Sequence, residues 1–253
     1  FIPLIMGFGC NVPAIMASRT IENRKSRLIT MLINPLMSCS ARLPIYLLLV
    51  GAFFPNNASL VLLSIYAIGI FLAVLLARLF SKFLVKGDDT PFVMELPNYR
   101  LPSPKSVMQL IWEKAKDFIT RAFTIIFWAT IVIWFLQTFD MRLNLVTNSA
   151  DSLLAMLGNL LTPVFQPIGL NDWRISTAFI TGFMAKESVV STLSVLSNDI
   201  SEMFTPITAF VFMVFCLLYT PCVAAIATVR RELGRRYAVM VVLMQCSIAW
   251  LAA

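Results

Sequence analysis

Apolar residues run through this chain in blocks near bilayer length, separated by a few short polar loops. A hydrocarbon core of about 30 Å is crossed by roughly 20 apolar residues in a helix, so the blocks predict membrane helices. Residues 1–16 form a short apolar segment that runs into a basic loop at 19–27, where Arg19, Arg24, Lys25 and Arg27 face one acid, Glu22. Residues 28–54 are apolar but interrupted by Pro35, Arg42 and Pro44. Proline removes a helix hydrogen bond and crowds the preceding turn. The pattern therefore predicts a broken helix, which a membrane tolerates only where it faces protein or a water-lined cavity. An uncharged turn at 55–57 leads into a regular span over 59–80. The longest polar stretch, 81–121, begins proline-rich and ends in 105–121, which predicts an amphipathic helix on the membrane surface. A span over 118–139, shorter apolar segments at 153–168 and 175–196, a span over 207–229, and a last apolar run at 237–253 follow.

Loop charge orients these elements. The loops at 19–27, 81–121 and 230–236 are basic and predict the cytoplasmic side; the turn at 55–58 and the loops at 140–150 and 197–206 then face outward. Parity demands an even number of crossings between 140 and 206, so 153–168 and 175–196 both cross or are both re-entrant. The pattern favours two imperfect crossings, with the turn at 171–174 facing inward.

Composition agrees with a polytopic all-α membrane protein. Charged residues make up 13% of the chain, against about a quarter in an ordinary soluble domain. No alternation of short strands argues for a membrane barrel. The formal charge of +7 sits in the loops between apolar runs, which makes it a topology signal and argues against nucleic acid as a partner. The chain has no histidine, so any metal must be held by Cys, Met, Asp, Glu, Asn, hydroxyls or backbone carbonyls. The five cysteines lie in apolar stretches and do not form a secreted disulfide pattern. The chain starts at Phe1 and stops inside an apolar run, so both ends read as cut from a longer polypeptide.

The chemistry-bearing residues sit where helices are predicted to break. Cys10 is followed by Asn11 and Pro13, and Cys222 is preceded by Pro221. A nearby proline leaves carbonyls unpaired, and these, with thiols, suit a borderline or soft cation better than Na⁺ or Mg²⁺. The alternative is that both cysteines pack as small hydrophobes, which is the reading for Cys216 and Cys246. Cys10 and Cys222 each precede a basic loop by nine residues, at Arg19 and Arg231, a faint internal repeat of the kind transporters show. Lys186 and Glu187 lie mid-segment, where an isolated charge costs about 2.5–3.5 kcal/mol or more. They form a structural ion pair, extended to Arg42, or Glu187 is a cation ligand or gate tuned by Lys186. Arg42 either pairs with Glu187 or holds carbonyls of its broken helix, with Ser38 and Cys39 beside it. Glu95, Pro97, Tyr99 and Arg100 mark an extended motif in the loop, either a structured turn or a coupling surface. There is no Gly-x-x-x-x-Gly-Lys-Ser/Thr and no nucleophile–base pair, so no enzyme is read in these residues.

Five blocks together carry a resemblance: Gly9-Cys10-Asn11-Val12-Pro13-Ala14, Met37-Ser38-Cys39-Ser40-Ala41-Arg42-Leu43-Pro44, Met94-Glu95-Leu96-Pro97 with Tyr99-Arg100, Ala185-Lys186-Glu187, and Tyr219-Thr220-Pro221-Cys222-Val223-Ala224-Ala225. They resemble, in family order, the permease region of ferrous iron transporters of the FeoB family. The resemblance implies a multi-pass bacterial inner-membrane Fe²⁺ permease with two Gate repeats, one partial over 1–54 and one over 175–236. Around them it places a helix at 55–80, a cytoplasmic loop at 81–121, helices and connections over 122–174, and a last helix at 237–253. It implies that Cys10 and Cys222 line the iron path; the residues themselves add Asn11, Cys39 and Glu187 as further candidates. Pro13, Arg42, Lys186 and Pro221 are then structural or gating residues, and Glu95, Pro97, Tyr99 and Arg100 a coupling motif. It implies an N-terminal GTPase domain outside this sequence, which would use GTP and Mg²⁺, together with FeoA-type and FeoC-type partners. Membrane lipid and a second copy of the chain are further expected partners. The competing readings are a nucleoside or other solute permease of the Gate type, and a structural or sensory membrane subunit.

Overall fold

The computed structural model describes residues 2–83, 101–140, 144, 152–196 and 200–253, apart from the side chains at 117, 121, 122 and 125. The motif of Glu95, Pro97, Tyr99 and Arg100 lies outside the described residues. Within them the elements are helical, and the long apolar segments are of two kinds.

Two helices run unbroken. Helix α5, Ala58–Phe83, spans 26 residues, and α6, Pro104–Thr138, spans 35. The expected surface helix at 105–121 and the following span are thus one continuous helix, which no proline or glycine interrupts beyond Pro104. Both present large side chains outward, among them Leu60, Leu63 and Phe71 on α5 and Trp112, Phe123 and Trp134 on α6. In a bilayer such a face is solvated by lipid.

The other segments are interrupted. Helices α1, Ile2–Gly7, and α2, Asn11–Ala17, are separated at residues 8–10. Helices α3, Arg24–Ile33, and α4, Leu43–Phe53, are joined by two 3₁₀ turns over 34–42. Asn23 caps the start of α3, its side chain accepting from the backbone N–H groups of Lys25 and Ser26. Helices α10, Pro206–Leu218, and α11, Val223–Leu233, are separated at Tyr219–Cys222. Gly234, at φ 95°, then turns the chain into α12, Arg235–Ala252.

Between α6 and α10 the structure corrects the expectation of two crossings. Helix α7, Leu153–Phe165, begins beside the end of α6, where Leu153 N–H donates to Phe139 O at 3.1 Å. It ends beside the end of α12, where Trp250 Nε1 donates to Val164 O at 3.1 Å. Both ends of α7 therefore lie at the end of the bundle opposite Arg230–Arg236. Helix α8, Trp173–Met184, turns away from α7 by 105° and penetrates the bundle. Helix α9, Ser188–Leu196, returns along it, with Thr181 Oγ1 and Thr192 Oγ1 3.0 Å apart. Together α8 and α9 form a re-entrant hairpin with its tip at residues 185–187. Parity is kept, because the stretch begins and ends at the same end of the bundle. The turn at 171–174, expected at the inward end, lies instead with Ser201 and Thr205, from the loop expected to face outward, around one polar cavity of about 570 Å³.

The core fills the space around the hairpin. Phe179 on α8 packs against Phe212, Phe215 and Tyr219, at ring-centroid distances of 4.9, 4.6 and 5.6 Å. Ile45, Tyr46 and Leu49 from α4, Ile65 from α5 and Leu193 from α9 complete the same cluster. A second cluster, nearer the basic end, joins Val12 and Ile15 of α2 to Ala225 and Val229 of α11.

Candidate functional site

Four interruptions meet at one cavity of about 170 Å³. Its wall takes Cys10 and Asn11 from the α1–α2 break, Cys39 and Arg42 from the α3–α4 break, Lys186 and Glu187 from the hairpin tip, and Pro221 and Cys222 from the α10–α11 break. Phe118 and Ile126 of α6 close one side.

Each break is extended backbone inside an otherwise helical segment. Cys10 is the N-cap residue of α2, at φ −150° and ψ 131°. Cys39 caps the 3₁₀ turn Ser40–Arg42 at φ −78° and ψ 160°. Cys222 caps α11 at φ −59° and ψ 156°, and Ala185 ends α8 at φ −143° and ψ 122°. Local sequence explains three of these. Gly7 and Gly9 bracket the first break, Pro35 and Pro44 the second, and Pro221 occupies the last. Pro13 falls inside the first turn of α2, where its missing N–H leaves no bond unmade. The hairpin tip has no glycine or proline; the two adjacent charges in an apolar run are its sequence signal.

The breaks are tied to one another. Ser40 donates twice to Gly9 O, from its N–H at 3.1 Å and its hydroxyl at 2.8 Å, joining the first break to the second. Arg42 is fully buried, and its guanidinium donates to Met37 O at 3.2 Å and Pro35 O at 3.3 Å. It thus satisfies carbonyls that the interrupted helix leaves open. No ion pair joins Glu187 to Arg42 or Lys186 within the described residues. Lys186 instead lies buried with its ammonium 2.9 Å from the centroid of the Tyr219 ring, a cation–π contact. Its neighbour Glu187 is exposed.

Several buried polar atoms at these breaks lack a hydrogen-bond partner among the described residues: Asn11 Oδ1, Arg42 Nε, Lys186 Nζ, Tyr219 Oη and Thr220 Oγ1. Buried polar groups are nearly always paired with protein or water, so these atoms are open to such a partner. Even so, among the described residues no three Cys, Asp or Glu side chains come close enough to hold one metal ion together. What the wall offers is thiols, an amide oxygen and backbone carbonyls, without a closed set of anionic side chains. Cys216 is buried in the main core and Cys246 is exposed on α12, both away from the cavity wall. Residue patterns alone did not find the Tyr219 ring beneath Lys186, the Ser40 bonds to Gly9, or the wall of α6, because each depends on long-range packing.

Fold and cavity together define a class: a polytopic helical membrane protein in which interrupted helices and a re-entrant hairpin enclose a small thiol-lined cavity. Residues 1–53 and 119–236 match the Gate family model, described as "Nucleoside recognition", and residues 62–114 match "Ferrous iron transport protein B C terminus". The chain belongs to the ferrous iron transporter B (FeoB) family, as part of its Gate-containing membrane region. It is 46% identical over 240 residues to the Fe(2+) transporter FeoB of Staphylococcus aureus, covering 92% of this chain and 36% of that protein. It is 41% identical over 267 residues to the Fe(2+) transporter FeoB of Methanocaldococcus jannaschii, covering 100% and 40%. A Porphyromonas gingivalis "Fe(2+) transport protein A/Fe(2+) transporter FeoB fusion protein" is 44% identical over 310 residues, covering 100% and 37%. The chain thus spans about two-fifths of the length of these curated relatives. No solved structure matches it.

Proposed function

We propose that this chain forms the Fe²⁺ permeation path of a bacterial inner-membrane transporter, with the four-break cavity as its midpoint. The observation that carries this reading is the convergence of Cys10, Cys39, Cys222, Asn11 and Glu187 on one cavity inside a helical membrane protein. Fe²⁺ must shed water to enter low dielectric. Thiol sulfur, the Asn11 amide, the Glu187 carboxylate and unpaired carbonyls replace that water in part. A transit site must bind firmly enough to admit the ion and loosely enough to release it, which suits a wall without a closed set of three anionic ligands. Lys186, held on Tyr219, keeps the hairpin tip in place while Glu187 faces the cavity. Pro13 and Pro221 limit the helices that bear the cysteines.

The transport cycle is coupled to a GTPase domain of the same polypeptide, with GTP and Mg²⁺ used there. FeoA-type and FeoC-type proteins bind on the cytoplasmic side, and Glu95, Pro97, Tyr99 and Arg100 are the coupling surface. The relative in which transport protein A is fused to the transporter supports the FeoA-type partner. The nucleoside reading fits less well: small-molecule pockets run to about 300–1,000 Å³, and this cavity holds about 170 Å³ of mostly apolar wall with thiols.

The test is anaerobic Fe²⁺ uptake by cells that lack other iron transporters and express the full-length protein at matched membrane levels. Cys10→Ser and Cys222→Ser each lower uptake at least tenfold, a loss on the scale seen when a metal site is disturbed. Uptake and ion preference unchanged in Cys10→Ser, Cys222→Ser and Glu187→Gln alike would remove these residues from the path.

A further inference from the structure

The two cysteine-bearing half-helices, α2 and α11, lie side by side and run from the cavity toward the basic end of the bundle. Cys10 and Cys222 sit at their cavity ends as N-caps. Between them lies an apolar plug of Val12, Ile15, Ala225 and Val229, of which Ile15, Ala225 and Val229 are fully buried. At their far ends Arg19, just beyond α2, reaches Glu232, in the last turn of α11. Nε donates to one carboxylate oxygen at 2.7 Å and Nη2 to the other, a bidentate pair between residues 213 positions apart. It is the one ion pair between described residues. The Glu232 side chain is 9% exposed and that of Arg19 is 49% exposed, so the acid is seated and the arginine lies over it. The adjoining segments of chain carry Arg24, Lys25, Arg27, Arg230, Arg231, Arg235 and Arg236. A cation leaving the cavity toward this end meets first an apolar constriction, which blocks ions by staying dry, then a positive rim whose seated carboxylate is already neutralised.

We propose that α2 and α11 are the two leaves of an inner gate, and that the Arg19–Glu232 pair is the latch that holds them together. Opening the latch does two things at once. It frees the far ends of α2 and α11 to part around the plug, and it uncovers the Glu232 carboxylate as an exit ligand for a divalent cation. An exposed ion pair contributes little stability, and that suits a latch, which must open without a large input. The fork geometry supplies what a single contact does not, because both carboxylate oxygens must be released together. The gate rests on the reading of the cavity as an ion path; the latch itself is tested without any metal.

The experiment uses the full-length protein in inverted membrane vesicles, with Cys39, Cys216 and Cys246 replaced by serine so that Cys10 and Cys222 are the thiols followed in this region. A membrane-impermeant maleimide applied from the basic end reports their labelling rate. Arg19→Gln and Glu232→Gln each raise that rate about fivefold, the population change expected for losing a pair of ordinary surface strength. The charge exchange Arg19→Glu with Glu232→Arg brings it back to within twofold of the starting protein, and Arg19→Lys gives an intermediate rate because it keeps the charge and loses the fork. Unchanged labelling in both single variants overturns the latch. So does a charge-exchanged protein that labels as fast as the singles, which marks general loosening. Thermal unfolding of each detergent-solubilised variant is measured alongside, and a variant that melts early is judged by the Arg19→Lys protein in its place. Loss of the iron reading in uptake assays leaves the labelling result standing, so the two fail separately.

Discussion

Two apolar stretches of nearly equal length, Pro55–Phe83 and Pro206–Leu233, meet opposite fates in this molecule. In the first, 22% of the most hydrophobic window is buried within the protein; in the second, 72%. The first contains one unbroken helix after its turn, faced by large exposed side chains. The second is interrupted at Tyr219–Cys222, packed on most sides, and supplies the cavity with Pro221 and Cys222. In hydrocarbon every open backbone group costs several kcal/mol, so a helix that faces lipid must stay whole. A break is affordable only where neighbours or a polar cavity answer its open groups. Burial and interruption therefore go together, and the cavity forms on the buried, broken helices.

The comparison is broken most directly by core truncation. Phe212→Ala on α10 removes a fully buried ring that stacks on Phe179 and meets Phe204 edge-on, and costs about 3–5 kcal/mol. Thermal or denaturant unfolding in detergent reads this. A loss below 1 kcal/mol would show that this half of the bundle does not act as a packed core.

Arg42→Ala comes next. It strips two charged hydrogen bonds from the carbonyls of Met37 and Pro35 and leaves both open, for a loss of about 3 kcal/mol. Arg42→Lys recovers only part of it, because one ammonium does not reproduce the fork. Equal stability of Arg42→Ala and the parent in the same unfolding assay would mean that water answers those carbonyls.

Close approach at the hairpin supplies a smaller effect. A Cβ on Gly182 meets the Tyr219 hydroxyl and a methyl of buried Val189, whereas one on Gly51 in α4 meets nothing within 4 Å. Gly182→Ala lowers stability by roughly 1–3 kcal/mol. Gly51→Ala raises it by about 0.5–1 kcal/mol through helix propensity. The sign difference between the two melting shifts is the measurement.

Smallest of all is Leu63→Ala on α5. Leu63 is 72% exposed, and its side chain exchanges lipid contact for lipid contact, so stability moves by no more than about 0.5 kcal/mol. A larger loss would place a protein neighbour on that face.

Much of this arrangement was legible in the chain. Runs near bilayer length gave the helical class, and Pro13, Pro35, Pro44 and Pro221 pointed to three of the four interruptions, although Pro13 itself sits inside the first turn of α2 and the break falls at residues 8–10 before it. Arg42 among carbonyls was one of two readings, and the structure takes it over pairing with Glu187. The path between 140 and 206 was not legible in the same way. A re-entrant hairpin and two crossings have the same apolar pattern and the same parity, and only the packing of α8 on α9 and the placement of both ends of α7 separate them.

The sequence by itself determined that the protein lives in a membrane, that it is helical, and near which residues three of its four breaks fall. These follow from local rules: hydropathy over a bilayer's thickness, the missing donor of proline, and the cost of charge in hydrocarbon. Only the tertiary structure decided that four breaks from distant segments share one cavity, that Lys186 rests on Tyr219 while Glu187 stays exposed, and that Arg19 reaches across 213 positions to Glu232. Sequence records the cost of each polar group within the membrane; which partner offsets that cost is a matter of packing between helices that the chain order does not place side by side.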